Sequence, residues 1–145
     1  MELMQFSLTL DAIRVEMKNE QSFEIAKGLD FIELQSVRYR RLDALSLENM
    51  IEVIEEILEQ FKLDHKIQRI AKTSDAYMQQ ISQLFFNGEA VIDRIKLEHA
   101  FNEFVEHIEY YVRQVDSEHF YVFVYFVFIR EMMHHLNVVE ISFKN

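Results

Sequence analysis

The spacing of apolar residues predicts an amphipathic helix over residues 46–61. Three- and four-residue intervals place them on one helical face. The residues of this stripe are Leu47, Met50, Ile51, Ile54, Ile57, Leu58 and Phe61. Ser46 precedes the stripe, and its hydroxyl can accept a hydrogen bond from an amide in the first turn. We therefore predict a helix that begins at Ser46 and buries one face.

Similar spacing predicts two more helices, over residues 66–86 and 89–115, separated by the break at Asn87-Gly88. A fourth helix is predicted from Glu118 to Leu136, with Asp116-Ser117 as its cap. Its first part, residues 120–129, is apolar on every side. This run could also form a buried strand, but its length and the helical pattern that follows favour a central, buried helix.

The first 45 residues and the C-terminus alternate between apolar and polar positions, as strands do. The alternating apolar residues include Met4, Phe6, Leu8, Leu10, Ile13, Val15 and Met17, and at the C-terminus Val139, Ile141 and Phe143. The fold predicted is mainly α, a compact bundle of about four to five amphipathic helices. A small antiparallel sheet could join the two termini, and an α+β fold is the alternative.

Composition limits the classes of function. The 145 residues are predicted to form a single domain, residues 1–145, and they include no Cys, no Pro and two Gly. Disulfides, thiolate metal sites and glycine-rich phosphate loops are therefore excluded, and no cofactor is expected. The longest apolar run has ten residues, which is too short for a membrane helix. We expect a soluble, cytoplasmic protein.

The net charge of −10 disfavours direct binding to nucleic acid or to an anionic membrane. Five glutamates lie opposite the apolar stripe of the helix over residues 46–61: Glu48, Glu52, Glu55, Glu56 and Glu59. We therefore predict a non-enzymatic binding module of the immunity-protein, antitoxin, phage-inhibitor or chaperone type, which docks this acidic face on a basic protein partner and masks it. A homodimer is left open.

Three other groups of residues are candidates for charge pairing or metal binding. Arg38, Tyr39, Arg40 and Arg41 form a basic cluster, which we expect to pair with carboxylates inside the protein. His99, Glu103 and His107 form a row on the polar side of a predicted helix. Glu131 and His134 have the spacing of a di-iron ligand pair, but a second pair is missing. No metal site is predicted.

Arg130 and His135 have an Arg-x4-His spacing on a predicted helix, which resembles the motif of the HEPN ribonucleases. The resemblance implies a metal-independent RNA-cleaving dimer, in which Arg130 holds the scissile phosphate and His135 transfers protons. It covers six residues. Family members usually carry a small polar residue after the arginine, whereas this chain has Glu131. A HEPN-like ribonuclease is the alternative function.

Overall fold

A computed structural model describes residues 1–38, 41–116 and 120–144, and within them the protein is an α/β structure. In chain order the elements are β1 (Glu2–Leu8), β2 (Ile13–Met17), β3 (Ser22–Ile25), α1 (Leu29–Ser36), α2 (Ala44–Leu58), β4 (Arg69–Thr73), α3 (Ala76–Phe85), β5 (Val91–Asp93), α4 (Arg94–Glu106), α5 (Ile108–Arg113), α6 (Tyr121–His135) and β6 (Val138–Phe143). The strands form one mixed sheet in the order β3-β2-β1-β4-β6-β5.

Three neighbouring strands of the sheet, β1, β4 and β6, run parallel, and β2, β3 and β5 run antiparallel to their neighbours. Parallel neighbours need long crossover connections, and here helices provide them. On one face of the sheet the side chains are buried, whereas the other face carries exposed or half-buried side chains. The helices therefore pack on the buried face, and the carboxyl ends of β1, β4 and β6 lie at one edge of the sheet.

Helix α6 lies in the centre of the core. Its residues from Val122 to Ile129 are at most 1% exposed, which confirms the helix predicted for the apolar run. Aromatic rings from α3 and α4 stack on it, with ring centroids 4.4 Å apart for Phe85 and Phe126 and 5.4 Å apart for Phe104 and Phe123. The predicted cap at Ser117 and start at Glu118 lie outside the described residues.

The prediction of a mainly α bundle is wrong, because residues 69–73 form a central strand. The three- and four-residue spacing of Ile67, Ile70 and Ala71 indicated a helix over residues 66–86. In the structure the buried positions of β4 are Arg69, Ala71 and Thr73. Because two of these three buried residues are polar, the sequence does not show the alternation of apolar and polar residues that would predict a strand here.

The other predicted elements differ from the structure at their ends. Residues 89–115 form β5, α4 and α5 rather than one helix. Helix α2 begins earlier than predicted, because Asp43 rather than Ser46 is its N-cap and accepts a hydrogen bond from the Ser46 amide at 2.8 Å. The alternation marks strands over residues 2–25 and at the C-terminus, whereas residues 29–36 form α1. Strand β6 pairs in parallel with β4 instead of joining an antiparallel sheet with the N-terminal segment. Among the described residues, no helix has the length and apolar character needed to cross a membrane.

Candidate functional site

Asp75 joins three elements at the carboxyl edge of the sheet. It lies between β4 and α3, and its Oδ1 accepts a hydrogen bond from Ser7 Oγ at 3.0 Å. Its Oδ2 accepts from the Leu8 amide at 2.9 Å and from the Tyr125 hydroxyl at 2.8 Å. Because these donors come from β1 and α6, Asp75 fixes the end of β1 against the turn that follows β4.

Tyr125 is the buried member of this junction, with no exposed surface. Burial raises the pKa of its hydroxyl well above the ordinary value, and the negative charge of Asp75 raises the pKa further. The hydroxyl therefore stays protonated near neutral pH and remains a hydrogen-bond donor to Asp75.

A cleft of about 400 Å³ opens beside this junction, next to the middle of β1 and at the carboxyl ends of β4 and β6. It is lined by Gln5, Phe6, Lys72, Thr73, Ser74, Ser142, Phe143 and Lys144. Gln5, Lys72 and Ser142 are cross-strand neighbours, so they form a polar row on the exposed face of the sheet. A crevice outside the carboxyl ends of parallel strands is where open α/β sheets bind ligands.

The cleft carries two lysines on an acidic chain, and Glu16 lies next to Gln5 at the far end of the polar row. Both Lys72 and Lys144 are exposed, and no described carboxylate lies within ion-pair distance of either ammonium group. Helix α3 begins just after Ser74, and the Asp75 side chain turns toward β1 without capping any amide of that helix. The cleft therefore combines two positive charges with hydroxyl and amide groups, a combination that favours anions.

The two residues of the HEPN-like motif, Arg130 and His135, lie toward the C-terminal end of α6. Both contact carboxylates there. Arg130 donates to Glu98 at 2.9 Å and to Glu131 at 2.6 Å, and its guanidinium also lies over the Phe101 ring. These bonds lower the pKa of Glu98 from its usual value, with the hydrogen bond from Arg130 as the main cause. A guanidinium engaged by two carboxylates is not available to grip a phosphate.

His135 and the predicted glutamate face meet at this end of the molecule. The His135 Nε2 atom lies 3.6 Å from Glu55 Oε1 and 3.8 Å from Glu131 Oε1. The other four predicted docking residues, Glu48, Glu52, Glu56 and Glu59, are exposed. The structure thus separates Glu55, which faces α6, from the rest of the face, and none of the five lies near the cleft at the sheet edge.

The remaining sequence hypotheses find little support in the described structure. Of the basic cluster, Tyr39 and Arg40 lie outside the described residues, and Arg38 and Arg41 are exposed. In the row on α4, His99 is exposed, and His107 Nε2 lies 3.7 Å from Glu103 at the helix end. His134 contacts Glu98 at 2.9 Å rather than sharing a site with Glu131.

Crystal structures of a Ppx/GppA phosphatase from Aquifex aeolicus are similar to this fold. Three of them superpose with TM-scores of 0.75, 0.74 and 0.73, each at 10% sequence identity and over 99–100% of this chain. The fold resembles about half of a Ppx/GppA phosphatase. The chain covers 53%, 54% and 52% of the three phosphatase chains. No model of a known protein family matches the sequence, and no curated protein matches it either.

The likeness to Ppx/GppA phosphatases overturns both functions suggested by the sequence. The acidic inhibitor and the HEPN-like ribonuclease were inferred for a mainly helical chain, whereas the fold is the α/β fold of these enzymes. A sequence identity of 10% establishes the fold alone, so the chemistry must be argued from this chain's own residues.

Sequence reasoning missed the cleft because the predicted helix over residues 66–86 ran through it. A signal was present at Thr73, Ser74 and Asp75. Three small polar residues in succession are typical of a loop that leads into a helix N-terminus. Interpreted as a loop, these residues would have divided the predicted helix into an earlier element ending near Lys72 and a later helix beginning after Asp75.

Proposed function

We propose that this chain binds the phosphate group of a small phosphorylated ligand in the cleft at the carboxyl edge of the sheet. The observation that carries the proposal is the position of Lys72 and Lys144. These two ammonium groups have no described ion-pair partner and flank a cleft of about 400 Å³. That volume lies within the usual range for small-molecule sites.

The cleft residues divide into charged and neutral partners for a phosphate. Lys72 and Lys144 would neutralise the charge of the phosphate oxygens, and the hydroxyls of Ser74 and Ser142 would donate hydrogen bonds to them. Gln5 adds an amide donor beside Lys72. Asp75 contributes indirectly, because its three donors hold its carboxylate away from the ligand and keep the surrounding turn in place.

The likeness to phosphatases supports a phosphorylated ligand, but the lining of the cleft favours binding over hydrolysis by this chain. None of the cleft residues named above carries a carboxylate or an imidazole that could activate a water molecule. The chain also spans about half the length of the phosphatases. We therefore propose that this chain recognises the phosphate group, and we assign no residue of the cleft the role of a catalytic base.

Calorimetric titration with inorganic phosphate and pyrophosphate tests the proposal. Replacing Lys72 or Lys144 with Met keeps the apolar stem and removes the charge. Each change should weaken binding by roughly tenfold to a hundredfold, since a charge-assisted hydrogen bond contributes roughly 1.5–3 kcal/mol. Raising the salt concentration should weaken binding by the unchanged protein more than binding by the variants.

The matched control is Lys62→Met, which removes one exposed lysine from a loop that does not line the cleft. It should leave the affinity for phosphate unchanged. If Lys72→Met and Lys144→Met bind phosphate as tightly as Lys62→Met does, the cleft is not the site.

A further inference from the structure

Two helices bring three metal-ligating side chains together at the end of α6 that is remote from the cleft. Glu131 and His135 lie one turn apart on α6, and Glu55 faces them from α2. One ligand atom from each lies within 4.8 Å of the other two. We name these three residues the α2–α6 cluster.

The spacing within the α2–α6 cluster suits a shared cation better than direct hydrogen bonds. His135 Nε2 is 3.6 Å from Glu55 Oε1 and 3.8 Å from Glu131 Oε1, both beyond hydrogen-bond length. Ligands of a tetrahedral Zn²⁺ at 2.0–2.2 Å lie about 3.4 Å from one another. A small inward movement of these side chains would therefore complete three corners of a tetrahedron.

Arg130 fixes the direction of the Glu131 carboxylate. Its Nη1 atom donates a hydrogen bond to Glu131 Oε2 at 2.6 Å, which leaves Oε1 facing His135. Glu131 is 2% exposed, so its carboxylate is held inside the protein in one orientation. Outer partners of this kind commonly orient metal ligands. Arg130 is in turn held by Glu98, at 2.9 Å.

The balance of charge around the α2–α6 cluster also favours a cation. Three carboxylates, those of Glu55, Glu98 and Glu131, lie in and beside the cluster, and the guanidinium of Arg130 contacts two of them, Glu98 and Glu131. The three carboxylates and the one guanidinium leave a formal excess of negative charge in a partly buried place. A bound divalent cation would offset that excess and link α2 to α6.

We propose that Glu55, Glu131 and His135 bind a divalent transition-metal ion of the Zn²⁺ type. One imidazole and two carboxylates suit Zn²⁺, whereas Mg²⁺ prefers oxygen ligands and retains its waters. The site is separate from the proposed phosphate cleft, and it serves to join two helices of the core. It does not depend on the proposed function.

Metal binding by the untagged, chelator-treated protein tests this site. Zn²⁺ should bind with one-to-one stoichiometry by calorimetry and should raise the melting temperature, because it binds the folded state. Co²⁺ should give the visible absorption of a tetrahedral complex. Mg²⁺ at the same concentration should neither bind nor stabilise.

The variants His135→Gln and Glu55→Gln should each lower the affinity for Zn²⁺ at least tenfold and remove the Co²⁺ spectrum. Glu55 is partly exposed on the other helix, so its variant remains informative if His135→Gln folds poorly. The control is His107→Gln, from an exposed group of possible ligands at the end of α4. Binding that survives His135→Gln and Glu55→Gln, or that disappears in His107→Gln, would overturn the proposal, as would the absence of Zn²⁺ binding.

Discussion

At the residue scale, Tyr125 shows how a buried polar group is made compatible with the core. Its ring lies among apolar side chains of α6, and its hydroxyl finds a carboxylate acceptor at Asp75. The sequence placed Tyr125 correctly in a buried run, but it could not reveal the partner, which is 50 residues away in the chain. The same limit applies to Arg69, which is 1% exposed and pairs with Glu2 across 67 residues.

We expect Tyr125→Phe to destabilise the protein by roughly 1–3 kcal/mol at neutral pH, because Asp75 loses one of its three donors. The raised pKa of Tyr125 also predicts a dependence on alkaline pH. Its contribution to stability is fully present below the unfolded pKa of about 10 and is lost as the pH rises toward the folded pKa. The loss of stability above pH 10 should therefore be shallower in Tyr125→Phe than in the unchanged protein.

Denaturant unfolding between pH 7 and 11 measures both effects. Tyr110→Phe is the matched control, since Tyr110 is 60% exposed and its hydroxyl makes no hydrogen bond within the described ranges. An unfolding free energy at pH 7 that is equal in Tyr125→Phe and Tyr110→Phe would show that the junction with Asp75 contributes nothing to stability.

At the scale of elements, the joint between the β1–β2 hairpin and α1 depends on a close backbone approach. The amides of Leu29 and Asp30 donate to the carbonyl oxygens of Thr9 and Leu10, at 2.9 and 3.1 Å. A Cβ atom on Gly28 would lie 2.3 Å from the Thr9 oxygen and 2.6 Å from the Ala12 nitrogen. Because Gly28 has no Cβ atom, α1 can begin in direct contact with the turn between β1 and β2.

Gly28→Ala should cost several kcal/mol of stability, because both contacts are with backbone atoms that cannot move aside. The second glycine supplies the control. Gly88 has a positive φ of 78° with open space around its Cβ position, so Gly88→Ala should cost only about 1 kcal/mol. Thermal unfolding of the two variants compares them directly, and a smaller loss in Gly28→Ala than in Gly88→Ala would contradict the close approach.

The elements also show where sequence patterns succeed. Long helices were found, because many residues contribute to the signal: an amphipathic pattern in α2, and in α6 an apolar run followed by a helical pattern. Strand β5 has three residues and was absorbed into a predicted helix, since so short a strand has no measurable period. Strand β4 was missed because polar residues occupy two of its buried positions.

At the scale of the whole molecule, net charge does not reveal how the charged residues are distributed. The value of −10 disfavoured binding to nucleic acid and to anionic membranes, yet two of the lysines lie together at the carboxyl ends of β4 and β6. Residues 72 and 144 come together only because β4 and β6 are parallel neighbours. That pairing depends on the crossover through α3 to α6, which no local pattern specifies.

An NMR titration with inorganic phosphate, recording the backbone amide signal of each residue, tests the proposed cleft most directly. We predict that the largest shifts of amide signals cluster at residues 72–75 and 142–144. In Lys72→Met these shifts should disappear, while the remaining amide signals keep the positions they have in the folded, unchanged protein. Shifts centred instead on the N-terminus of α2 or on the end of α6, or no saturable shifts at all, would contradict a phosphate site at the carboxyl edge of the sheet.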